Sequence, residues 1–415
     1  MSNLLNLLTN ISSTKKTQKT IFMKKLILLF LTLVAINASA NDGVYFVSGS
    51  QLVPANETDI AIKKEVLTIS LCDDGFARVD VQYEFYNNGP AKTVEMGFEA
   101  NPAYNDGVDF DKSGAHPHIK DFTVVMNGEK INYRNAIIRG SKEGWNTDFK
   151  PLDVNRMKTE IGDYDAYYLG DLYDPVTKDT INFAYSYTFT ANFKEGLNTI
   201  HHTYRYRSSY AVGHTFDVPY WLTPAMRWAN HQIDDFTLKI QANNTIKHFI
   251  IPSEPFGEGV FRLTRGVGKI RTVKVNDYES EESKTKDVFE IVIRDGEVEC
   301  HVENFKPAEN FEIQSADVLC FMQADENNKK TCGSYDRSDT FWPAYGYSDL
   351  GSQAKRIYRN MPYASRGYMF KDKNLQAYFD KLFWYIPDPN WKMDTKDFTK
   401  REWELVNGKG LGMDD

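Results

Sequence analysis

The sequence lacks most of the short patterns by which an enzyme announces itself. Four cysteines in 415 residues, with no Cys-x-x-Cys among them, leave a zinc ribbon or a dithiol redox site nothing to build on. No His-Glu-x-x-His occurs. His116 and His118 flank Pro117, and His201 and His202 are adjacent, so on a strand the latter two point to opposite faces. Neither pair has a third ligand at a metal-binding spacing. Gly-x-Ser-x-Gly is absent, and Cys72 and Cys300 lie inside strand patterns. Gly266-Val267-Gly268-Lys269 lacks the leading glycine and the closing Ser or Thr of a phosphate loop, so it reads as a glycine-rich turn. These absences imply no cofactor.

Long apolar runs are also missing, with one short exception. Met23-Lys24-Lys25 supplies positive charge, Leu26 to Ile36 an apolar stretch, and Ala38-Ser39-Ala40 the small residues that a signal peptidase reads. The stretch is about half the ~20 residues a spanning helix needs, so no transmembrane anchor is expected after cleavage. Residues 1–40 therefore read as a signal peptide, with Met23 as the expected true start and Asn41 as the expected mature terminus. No cysteine follows the cleavage site to carry a lipid. Removing the five lysines of this segment leaves 44 basic against 57 acidic side chains, a net of −13. A chain this acidic will not track a phosphate backbone, which excludes nucleic acid as a partner.

Residues 41–333 carry a strand texture. Ala77, Val79, Val81, Tyr83 and Phe85 alternate with polar residues, Val94, Met96 and Phe98 resume the pattern, and Phe122, Val124 and Met126 lead into the turn pair Asn127-Gly128. Phe183 to Phe189, Phe236 to Ile240 and Phe289 to Ile293 repeat it, the last turning at Asp295-Gly296 into Val298, Cys300 and Val302. One apolar face per run and almost no helical period before residue 340 predict an α+β protein, mainly antiparallel β-sandwich, in one or two units. An Asp- and Tyr-rich insertion at 133–180, with Trp145, Tyr164, Tyr167, Tyr168 and Tyr173, interrupts the regularity. Asp277 to Asp287 reads as a solvated acidic tip. Asp109, Asp111 and Ser113 place oxygens at alternate positions before Gly114, a calcium-loop opening, but Lys120 stands where the twelfth-position acid belongs. Cys320 and Cys332 enclose a polar loop and form the favoured disulfide pair, other pairings remaining open.

Beyond Cys332 the texture changes. A turn-rich linker at 334–349 precedes helical spacing in Leu350, Ala354, Ile357 and Tyr358, then in Leu375, Tyr378, Phe379 and Leu382. Asn360-Met361-Pro362-Tyr363-Ala364-Ser365-Arg366-Gly367-Tyr368-Met369-Phe370, with Leu375-Gln376-Ala377-Tyr378-Phe379 and Phe383-Trp384-Tyr385-Ile386-Pro387, resembles the YARHG domain. The match spans roughly residues 350–406, within a module of residues 350–415. Ser365 stands where the family has Arg and Arg366 where it has His, so any role of that His does not carry over. The resemblance implies an extracellular, non-catalytic module of exported bacterial proteins. Asn41-Asp42-Gly43, Leu52-Val53-Pro54 to Val66-Leu67, and Tyr220-Trp221-Leu222-Thr223-Pro224 with Trp228 more loosely resemble a β-rich domain of bacterial envelope proteins.

The module also carries charge of the unexpected sign. Lys355, Arg356, Arg359, Arg366, Lys371 and Lys373 surround Tyr358, Tyr363, Tyr368 and Phe370, interrupted only by Asp372. Arginines beside rings grip carboxylates and stack on sugars or peptides. Arg359, Tyr363, Arg366, Tyr368, Lys371 and Lys373 are therefore the candidate ligand-binding residues, and no catalytic residue is nominated. The competing view has the rings building a helix corner while Arg366 pairs internally with an acid such as Asp380. Two functions follow: a non-enzymatic exported protein, periplasmic or secreted, binding an envelope or extracellular component such as an anionic glycan or peptide; or a secreted cell-wall or glycan hydrolase using the insertion at 133–180, where Asp163 and Asp165 offer carboxylates. Expression of the whole chain should give an exported product whose N-terminal sequence starts at Asn41. A mature product retaining residues 1–22 would contradict this.

Overall fold

Alternation becomes strand along most of the chain. The computed structural model describes residues 49–55, 59–102, 111–140, 149–159, 171–211, 214–276, 285–316, 318–322, 333–336, 352–394, 396 and 398–408. The signal segment, Asp109, Trp145, Tyr164, Tyr167, Tyr168, Asp163, Asp165 and Cys332 lie outside them, as does the Cys320 side chain. The first strands are β1 (Gly49–Ser50), β2 (Val53–Pro54), β3 (Ile60–Leu71), β4 (Phe76–Asn87), β5 (Lys92–Ala100), β6 (Ile119–Met126) and β7 (Glu129–Lys130). Next come β8 (Arg134–Arg139), β9 (Lys158–Thr159), β10 (Asp171–Asp174), β11 (Asp179–Phe193), β12 (Gly196–Arg207), β13 (Ser209–Ala211) and β14 (His214–Trp221). The last are β15 (Ile233–Pro252), β16 (Phe261–Asn276), β17 (Thr285–Phe305), β18 (Phe311–Ser315), β19 (Val318–Met322) and β20 (Gly333–Asp336).

Twelve of these form one mainly antiparallel sheet, and β2, β5, β8, β9, β10 and β11 form a second. Their inner faces share a single apolar core. Phe98 of the smaller sheet stacks on Tyr204 of the larger at 5.1 Å, and Phe85 meets Phe193 edge-on at 5.8 Å. Each such buried ring contributes ~1.5–3 kcal/mol. Ala77, Val79, Val81, Tyr83 and Phe85 all face inward, as their period requires. Asn127 and Gly128 both take positive φ and join β6 to β7. The expectation of one apolar face per strand fails for β11, whose centre is buried on both sides. Its outer side carries Ala184 under Val53, Ile138 and Phe149. Part of the insertion at 133–180 is likewise regular, since β8 and β10 pair with β11.

Two turn readings are corrected. Asp295-Gly296 does not end a hairpin, because β17 runs through it for 21 residues. Gly266 sits within β16, not in a loop. The positive φ of Asp295 (45°) and Gly266 (82°) is spent on bulges instead, and β15 slips register between Ala242 and Ile246 at the same level. A Cβ on Gly266 would lie 2.3 Å from the Asp295 carbonyl oxygen. Three neighbouring strands thus crease together. Below the crease β15 runs parallel to β3; above it, β15 pairs with β18.

The second structural theme is a short strap. β1 pairs with β14 of the large sheet and β2 with β5 of the small one, so residues 49–54 cross from one layer to the other. Side chains hold the crossing. The Ser50 amide donates to the Tyr204 hydroxyl at 3.0 Å, Trp228 Nε1 donates to the Leu52 carbonyl at 3.1 Å, and Arg227 reaches the Pro54 carbonyl at 3.3 Å. Gln51 Nε2 donates to both oxygens of Glu65, at 2.8 and 2.9 Å, in a fully buried position. Of the envelope-domain resemblance, Leu52-Val53-Pro54 and the Tyr220 to Trp228 stretch therefore meet here, while Asn41-Asp42-Gly43 lies outside the described residues.

Burial pushes the Glu65 carboxyl up to about 8 from 4.5. The folded protein keeps this proton where the unfolded chain releases it, so stability present below pH 4.5 is lost as pH rises towards 8. Burial also lowers His116 and His202 to about 3, but those two act below pH 6.5. Between pH 6.5 and 8 the wild type should lose stability at up to about 1.4 kcal/mol per unit, and Glu65→Gln should flatten that slope. Denaturant titrations across the window check this; an unchanged slope in Glu65→Gln would remove the buried acid from the account.

Candidate functional site

The C-terminal residues build a second apolar core of their own, around Ile357, Tyr358, Met361, Phe379 and Tyr385. Helix α1 (Ser352–Arg359) buries Ala354, Ile357 and Tyr358 on one side. Helix α2 (Met361–Ala364) follows directly, with Pro362 in its first turn. Asp372 caps α3 (Lys373–Phe379) by accepting from the Asn374 and Leu375 amides. Thr399 and Glu402 form a reciprocal capping box on α4 (Lys400–Val406).

This module sits on the crease of the large sheet. Lys269 Nζ donates to the carbonyls of Leu382 (3.2 Å) and Tyr385 (2.8 Å), capping the end of the segment after α3. Arg294 reaches the Pro387 carbonyl and the Asp388 carboxylate, each at 3.3 Å. The Arg271 guanidinium lies 4.2 Å from the centre of the Phe383 ring, in cation–π range. Apart from these contacts, the module carries a cleft of about 820 Å³ between α1, the α2 corner, the Trp391 segment and the end of α4.

The cleft has two kinds of wall. Ser352, Lys355, Arg356 and Arg359 stand at i, i+3, i+4 and i+7 on α1, forming one basic stripe. Opposite stand Tyr363, Tyr368 and Trp391, with Met393 exposed at the rim. Tyr363 and Tyr368 lie 5.8 Å apart, and Trp391 meets Tyr368 edge-on at 5.5 Å. No carboxylate lines it among the described residues. Arg356 leans on Asp372 at 2.6 Å, and Arg359 donates twice to the Val406 carbonyl, at 2.7 and 2.9 Å, at the end of α4. Both pairs are exposed, so water and salt weaken them.

The candidate residues divide. Arg359, Tyr363 and Tyr368 come together in the cleft. Lys371 and Lys373 are exposed beside Asp372 and do not line it. Arg366 is turned inward: its two terminal nitrogens meet the two oxygens of Glu402, both at 2.8 Å, while Nη1 also donates to the Pro362 carbonyl and the guanidinium covers Phe398 at 4.6 Å. Internal pairing is thus real, but with Glu402; Asp380 instead accepts from Gln376. Ser365 is buried, its hydroxyl on the Pro362 carbonyl. Trp391 was missed because it lies far along the chain from the basic run. The capping sequence Thr399-x-x-Glu402 marked a helix start that could have drawn attention to Glu402.

Of the calcium candidates, Asp111 accepts from the Ser113 amide at 2.8 Å, an Asx turn whose bonds hold its carboxyl below the usual range. Among the described residues no three His, Cys, Asp or Glu converge as a metal site, and no helix is long and apolar enough to cross a membrane. Cys72 and Cys300 are unbridged, and burial raises the Cys300 thiol to about 12.

The helices, the tyrosine corner and Gly367 all fall within residues 337–408, which match the YARHG domain model. The chain carries a YARHG domain. Along nearly its whole length the fold also resembles that of a Legionella pneumophila protein provisionally described as nutrient binding: TM-score 0.50, 16% identity, 89% of this chain and 99% of the other. At that identity the likeness shows the fold alone. An M1 zinc metallopeptidase of Deinococcus radiodurans overlaps less well, with a TM-score of 0.23 and 8% identity over 74% of this chain and 54% of the other. No curated protein sequence matches the chain.

Within the YARHG domain, Gly367 has φ 83°, and a Cβ there would approach the Ile386 carbonyl oxygen to 2.6 Å. Its own carbonyl accepts from the Asp388 amide at 2.7 Å. Gly367→Ala should therefore cost more than ~1 kcal/mol. Arg366→Ala should cost about 2 kcal/mol by stranding the half-buried Glu402. Thermal unfolding of the two variants checks both; a fully stable Arg366→Ala protein would mean the ion pair holds nothing.

Proposed function

We propose that this chain is a non-enzymatic exported protein whose YARHG domain holds an anionic envelope or extracellular component in the cleft between α1 and Trp391. One observation carries the reading. In a protein whose mature chain is net −13, a cleft lined by three cations and three rings, with no described carboxylate, concentrates the scarce positive charge where a ligand fits. Its volume lies in the range of small-ligand clefts. The provisional nutrient-binding description of the Legionella protein is consistent with a body that supports binding rather than turnover. Export through residues 1–40 supplies the location, and the sandwich of residues 41–333 serves as the platform. The stretch 334–349 joins platform to module, although its first residues extend strand β20.

The proposal separates two arginines that look equivalent in sequence. Lys355→Ala with Arg356→Ala should lower attachment of the mature protein to isolated envelopes at least tenfold, leave the unfolding temperature within about 2 °C of wild type, and abolish most of the salt dependence. Arg366→Ala should lose binding only in proportion to unfolding. Full attachment by a folded Lys355→Ala, Arg356→Ala protein would overturn the proposal and move attention to the insertion at 133–180.

A further inference from the structure

Resting on that reading of the cleft, we infer that its ligand is a carboxylated polysaccharide rather than an acidic peptide. The geometry of the walls separates the two. An extended peptide is recognised chiefly through main-chain hydrogen bonds to an open strand edge or loop. The long wall of this cleft is the flank of helix α1, which presents side chains rather than an open strand edge, and the far end is the last turn of α4, where the Val406 carbonyl is already taken by Arg359. The cleft therefore offers side chains and little backbone. What those side chains offer is a row of cations at about 5–6 Å spacing on one turn of helix, facing ring edges and faces.

That combination suits a sugar polymer bearing carboxylates. The apolar C–H faces of pyranose rings stack against Tyr368 and Trp391, while ring substituents carry charge to Lys355 and Arg359. A peptide polyanion shares the charge but brings no comparable flat apolar face, so it engages only the basic stripe. Recognition of the polysaccharide then depends on both walls, and recognition of a peptide on one.

The full mature chain is titrated calorimetrically with polygalacturonate, poly-L-glutamate and neutral dextran at low and high salt. Polygalacturonate should bind at least tenfold more tightly than poly-L-glutamate, dextran should not bind detectably, and Trp391→Ala should weaken polygalacturonate binding at least tenfold. Trp391→Met serves as the check where the alanine variant fails to fold. Equal binding of both polyanions, unaffected by either Trp391 variant, overturns the polysaccharide assignment. A Lys355→Glu loss of envelope attachment in that case leaves the cationic cleft standing. Binding of neither polyanion also overturns the assignment, and unchanged envelope attachment by Lys355→Glu then removes the cleft itself.

Discussion

The bidentate pair between Arg366 and Glu402 ties the α2 corner of the YARHG domain to its last helix, α4, and both elements border the cleft. Arg366 leaves the α2 corner, crosses Phe398 and locks onto the N-terminal turn of α4. That fixes where α4 runs, and so where its last turn presents the Val406 carbonyl to Arg359. Glu402 serves twice, since its side chain also accepts from the Thr399 amide that opens the helix. A pair this well satisfied and this little exposed is worth more than the surface pairs along α1. The domain thus spends one arginine on architecture and leaves others on α1 to face the cleft.

The crease in the large sheet plays the corresponding part for the body. Bulges at the same level of β15, β16 and β17 bend the sheet and turn Lys269, Arg271 and Arg294 towards the Phe383–Asp388 segment. The contacts are polar and directional: an ammonium on two carbonyls, a guanidinium on a ring, another on a proline carbonyl. They set orientation more than they add stability. The strap at residues 49–54 ties the two sheets and holds Glu65 through Gln51, which makes the body's stability sensitive to a single buried proton.

Much of this was legible residue by residue, for reasons that are local. Alternation in β4 reads correctly because only one of its faces is buried, whereas β11 hides its burial on both sides in a pattern that looks ordinary. Asp295-Gly296 was misread because positive φ is demanded equally by a hairpin and by a bulge, and the choice belongs to the neighbouring strands. Of the candidate site, the basic stripe and the two tyrosines were visible, as α1 is short and its neighbours are close in sequence. Trp391 and the Arg366–Glu402 pair were not, since both depend on long-range closure of the domain.

The proposed ligand site lies between α1 and Trp391, not at the aromatic insertion. The indole N–H resonances of the seven tryptophans test this directly, because each reports its own site. On addition of polygalacturonate to the mature protein, the Trp391 signal should shift in a saturable, salt-sensitive manner while those of Trp145 and the buried Trp228 stay in place. A shift of Trp145 with Trp391 unmoved would contradict the account.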